Sequence, residues 1–116
     1  MKYINLNNNF GVDREKDKNT SPDNELTMNW LLTGIITGYP TLNSNNRRIW
    51  VGLLDKADKV RKDKLTYLPI NEVECLFIKK GFDKGEVPKE QAKFITIAED
   101  AFLNATDELP TNDAQA

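Results

Sequence analysis

Residues 43–62 read NSNNRRIWVGLLDKADKVRK, and Ile49, Trp50, Leu53, Leu54, Ala57 and Val60 recur there every three or four positions. That spacing gathers them on one side of a helix, with Arg47, Arg48, Lys56, Lys59, Arg61 and Lys62 around them. The polar group at 43–46 supplies a residue able to cap the free amides at its start. The stretch predicts an amphipathic helix, the second of four.

Upstream, Leu26, Trp30, Leu31, Ile35 and Ile36 predict a first helix that starts after Asp23 or Asn24 and stops at Gly38, with Tyr39 and Pro40 beyond. Its wide apolar face, with a tryptophan on it, belongs centrally in the core. Downstream, 65–70 reads as a short apolar connection. Asn71 or Pro69 then opens a third helix whose face is Val73, Leu76, Phe77 and Lys80, with Gly81 ending it and the Gly81-Phe82-Asp83-Lys84-Gly85 stretch reversing the chain. Pro88 opens a fourth, striped by Ala92, Ile95, Ala98 and Phe102 with support from Phe94 and Ala101. At the N-terminus Ile4 and Leu6 alternate with Tyr3, Asn5 and Asn7, the period-two pattern of a half-buried strand.

The fold class predicted is therefore mostly α: a small four-helix domain with a short N-terminal β-strand and a disordered acidic C-terminal tail. One helical domain spans 1–106. Residues 11–25, with almost nothing to bury, read as an exposed loop within it, and 107–116 as a flexible tail. A chain of 116 residues has room for one core. Its 39% hydrophobic and 29% charged residues are ordinary for a soluble domain, and the mean hydropathy of -0.59 reflects the polar ends.

Composition also narrows the chemistry. There is no histidine, so the commonest metal ligand and general base are both missing, and a single cysteine, Cys75, rules out an intramolecular disulfide. Glu74 beside Cys75 disfavours a thiolate, so the thiol reads as buried and inert. The six glycines form neither a dinucleotide-binding nor a phosphate-binding loop, and no calcium-loop pattern occurs. Carboxylates pair at Glu72 with Glu74 and at Glu99 with Asp100, but residues one or two apart on a helix do not share a face, and both pairs read as solvated charge. No catalytic residue, metal ligand or cofactor is expected. No signal peptide or membrane-length apolar run is readable, so a cytoplasmic location is expected, and two Asn-x-Ser/Thr sequons, at Asn19 and Asn104, read as chance.

Charge is unevenly distributed. Four basic against five acidic side chains give residues 1–45 a net -1, seven against three give 46–64 a net +4, and five against ten give 65–116 a net -5. The second helix is a basic element in an acidic protein of isoelectric point 5.2. Partner-binding candidates are Arg47, Arg48, Lys56, Lys59, Arg61 and Lys62 on that helix, and Tyr39 just before it. Trp30 and Trp50 lie on apolar faces and read as core.

The order of elements resembles small phage- and prophage-encoded proteins. The residues carrying the resemblance are Lys2-Tyr3-Ile4-Asn5-Leu6-Asn7, Leu31-Leu32, the 49–60 helix and Leu68-Pro69-Ile70-Asn71-Glu72-Val73. It implies a virus-encoded accessory or structural component that acts in the host cytoplasm or virion through protein contacts, and brings no catalytic motif. The function expected is a non-enzymatic protein interaction or assembly protein, binding another protein or copies of itself. The alternative is a nucleic-acid-binding regulator, in which the basic residues of the second helix, Lys64 included, meet phosphates. Interleaved aspartates and the acidic balance argue against it.

Overall fold

The computed structural model describes residues 1–8, 10 and 23–108. The element order is β1 (Lys2–Asn5), α1 (Asp23–Thr37), α2 (Ser44–Lys62), β2 (Tyr67–Ile70), α3 (Glu72–Lys84) and α4 (Lys89–Leu103). The mostly helical class holds, with four helices and the N-terminal strand where the periodicity placed them. Most of the 11–25 loop and most of the 107–116 tail lie outside the described residues. Asp23 to Glu25, given to the loop, belong instead to the first turn of α1.

One element was missed: the apolar connection at 65–70 contains β2. It pairs antiparallel with β1 in the register Lys2↔Ile70, Tyr3↔Pro69, Ile4↔Leu68 and Asn5↔Tyr67. Pro69, read as a possible opening of the third helix, lies inside this strand, where a proline removes a ladder donor. Here the register makes that loss harmless. The Tyr3 backbone N–H and C=O are turned away from β2 toward Thr106, at 2.8 and 3.2 Å, so Tyr3 and Pro69 face each other where an antiparallel ladder has no hydrogen bonds. Ile4 and Leu6 point into the core with Leu68 and Ile70, as the alternation required. Tyr3 and Tyr67 meet edge to face on the other side of the sheet.

α1 is the central helix. It packs against both α3 and α4 and buries Met28, Leu31 and Ile35. Thr27, also buried, donates its hydroxyl proton to the Leu6 carbonyl at 2.7 Å and so ties α1 to the end of β1. Trp30 packs at the edge of the core, stacked on Phe94 of α4. α4 buries Ile95, Ala98 and Ala101, with Pro88 as its cap, while Ala92 faces solvent.

The predicted face of α3 is corrected by about one residue. Glu74, Phe77, Ile78 and Gly81 point inward, and Val73 and Leu76 point out. Gly81 does not end the helix, which continues to Lys84 with Gly85 as its cap. Its role is to let two backbones touch. A Cβ on Gly81 would lie 2.5 Å from the Ile35 carbonyl oxygen of α1, and one on Gly38, just past α1, would lie 2.1 Å from the Gly81 carbonyl oxygen. No side chain fits between the two helices there.

Gly81→Ala is therefore expected to force α1 and α3 apart, at a cost of about 1–3 kcal/mol. A urea titration should show a lower midpoint. An unchanged midpoint would mean that the helices do not need this contact.

Candidate interaction surface on helices α2 and α3

Asn43 starts α2 by accepting the Asn46 backbone N–H on its side-chain oxygen at 2.8 Å. The helix then buries Leu53, Ala57 and Val60. Trp50 packs at the core margin near Phe77. Lys59, Arg61 and Lys62 fall in the last turn, where cations offset the partial negative charge of the free carbonyls.

The seven candidate binding residues divide into two groups. Three make bonds inside the fold. Lys56 donates to Glu74 of α3 at 2.6 Å. Arg61 reaches Asn29 of α1 at 2.7 Å and Asp58 at 3.4 Å. The Tyr39 hydroxyl donates to the Phe77 carbonyl at 2.7 Å while its ring stacks on Phe77 at 4.3 Å, and burial raises its pKa. The other four, Arg47, Arg48, Lys59 and Lys62, are exposed on the outer face of α2. Asp55 and Asp58 lie between them on that face.

Glu74 departs from its reading as solvated charge. It is only 7% exposed, and its Oε1 accepts both the Lys56 ammonium and the Asn71 backbone N–H, at 2.9 Å. The Asn71 side chain in turn accepts the Glu74 backbone N–H at 2.8 Å, completing a reciprocal cap at the start of α3. The Asn-x-x-Glu spacing held the signal for this cap. Burial of the carboxylate depends on Lys56, eighteen residues away, which no local pattern shows.

Turning Glu74 inward leaves the apolar residues of α3 outside. Val73 is 56% exposed and Leu76 61%. They form a ridge between two hollows. One, about 260 Å³, lies against α2 and includes Tyr39, Ile49, Phe77 and Lys80 in its lining. The other, about 340 Å³, is lined by Met1, Lys2, Ile70, Glu72 and Cys75, with Leu76 on the rim of both.

Cys75 is half-buried in the second hollow rather than sealed in the core. Burial raises its pKa most; Lys2 and the chain's N-terminal amine pull it down, and Glu74 and Glu72 push it up. On α4 the Glu99 carboxyl is also raised, first by burial and then by Asp83 and Asp100. Among the described residues there is no group of three or more His, Cys, Asp or Glu side chains that could hold a metal ion, and no helix is long and apolar enough to cross a membrane. No family model, curated protein or solved structure matches the chain.

Glu74→Ala removes the return half of the cap and strips Lys56 of its partner, with an expected loss of about 1–3 kcal/mol in urea unfolding. Stability equal to that of the unaltered protein would contradict this role. The Cys75 thiol, held above its ordinary pKa, should react with iodoacetamide near neutral pH more slowly than an unstructured cysteine peptide. A faster reaction would mean that the two nearby amines outweigh burial.

Proposed function

We propose that this chain is a non-enzymatic interaction or assembly protein that docks a partner helix on the outer face of α3. The observation that carries the reading is the Val73–Leu76 ridge, two large aliphatic side chains left in water one turn apart between two hollows. An amphipathic helix laid along such a ridge places its own aliphatic residues in the hollows on either side, the usual way in which a helix is held in a groove. Lys80 and Lys84 beside the first hollow favour a partner with acidic residues flanking its apolar stripe.

The non-enzymatic part of the reading rests on the lack of histidine, the raised pKa of the only thiol and the use of Glu74 as a structural cap. A cytoplasmic setting and a virus-encoded accessory role belong to the same proposal, supported by the resemblance of 2–7, 49–60 and 68–73. The nucleic-acid alternative draws on Arg47, Arg48, Lys59 and Lys62, and is weakened by the two aspartates among them and by the engagement of Lys56 and Arg61 within the fold.

The double variant Val73→Glu/Leu76→Glu tests the docking face. Both positions are exposed, so folding stability should change by no more than about 0.5 kcal/mol per site. Affinity capture from host cells is expected to retain proteins on the unaltered chain that the variant loses. Identical captured sets for the two proteins would overturn the assignment to α3.

A further inference from the structure

We propose that the outer face of α2 pairs with the same face of a second copy of the chain, antiparallel about a twofold axis near Gly52. This rests on the interaction reading above but uses a different face. The exposed residues of α2 fall at 44, 45, 47, 48, 51, 52, 55, 58, 59 and 62, a stripe running the length of the helix. In order it presents two arginines, Val51 beside Gly52, two aspartates and two lysines.

Arg47, Arg48, Asp55 and Asp58 are spread evenly about position 52. In an antiparallel pair crossing there, each residue faces one equally far on the other side of Gly52 in the second copy. Arg47 then meets Asp58 and Arg48 meets Asp55, each within about one residue, or roughly 1.5 Å along the axis. Twofold symmetry repeats both pairs, whereas a parallel alignment would set like charge against like. Charge complementarity of this kind selects both partner and orientation. At the axis, Val51 is 49% exposed, and a Cβ on Gly52 would meet nothing within 4 Å, so another backbone can come close. Within the chain these charges are little used. Among the described residues the Arg47, Arg48 and Asp55 side chains enter no ion pair, and Asp58 has only the 3.4 Å contact with Arg61. Lys59 and Lys62 lie past the paired segment, at its ends.

A single helix-on-helix contact falls at the small end of specific interfaces, below about 1,200 Å² in total. The dimer is therefore weak, and salt loosens it by screening exposed pairs. Two variants test it by sedimentation velocity, with circular dichroism to establish folding. Arg47→Glu/Arg48→Glu makes every exposed charge of the paired segment 47–58 acidic, and Asp55→Lys/Asp58→Lys makes every one basic. The unaltered protein is expected to self-associate at low salt, each variant alone to do so at least about tenfold more weakly, and an equimolar mixture of the two to associate again. The Val73→Glu/Leu76→Glu protein should keep the dimer, which separates this contact from the docking face on α3. The proposal is overturned if the unaltered protein stays monomeric at low salt, if either folded variant self-associates as well as the original, or if the mixture does not associate. A short DNA duplex bound at low salt by a protein that forms no dimer would assign the stripe to nucleic acid instead.

Discussion

The contact between α1 and α3 at Gly38 and Gly81 sets the geometry of the rest. Because a Cβ on either glycine would run into backbone of the other segment, α3 has one rotation in which it can lie against α1. With Gly81 turned in, the residues three, four and seven positions earlier, Ile78, Phe77 and Glu74, turn in with it. Two of them are apolar and complete the core. The third is a carboxylate and needs a partner.

Lys56 and the Asn71 backbone supply that partner, so the inward turn of Glu74 links α2 to the start of α3 instead of leaving a buried charge unpaired. The same rotation carries Val73 and Leu76 to the outside, where they have no cover among the described residues. A packing constraint on one side of the helix thus creates the apolar ridge on the other. The charge of α2 divides in a comparable way. Lys56 faces α3 and Arg61 faces α1, while the arginines and aspartates of the outer stripe are left for contacts beyond the fold.

Much of this was legible where a pattern is local. The apolar spacing of α2, a cap within the polar group at 43–46, the Ile4–Leu6 alternation and the concentration of positive charge at 46–64 each lie within a few turns of chain. The rest depends on residues far apart in sequence. Pro69 reads as a possible opening of the third helix, and only the register, which sets it opposite Tyr3 at a position with no ladder hydrogen bond, shows how a strand accommodates it. Gly81 read as a stop because glycine commonly follows a helix, whereas here it answers the backbone of Ile35, forty-six positions earlier. Once Gly81 was misread, the apolar Val73 and Leu76 were the natural choice for the inner face and Glu74 for the outer one. Tyr39, read as an exposed contact, is held by the Phe77 carbonyl thirty-eight residues away.

Hydroxyl-radical footprinting read residue by residue tests the rotation of α3 most directly, because neighbouring side chains on one helix report opposite faces. The account requires rapid oxidation of Leu76 and Val73 with Phe77 and Ile78 protected. Protection of Leu76 and Val73 in the monomer, with Ile78 oxidised, would place the apolar ridge inside and contradict it.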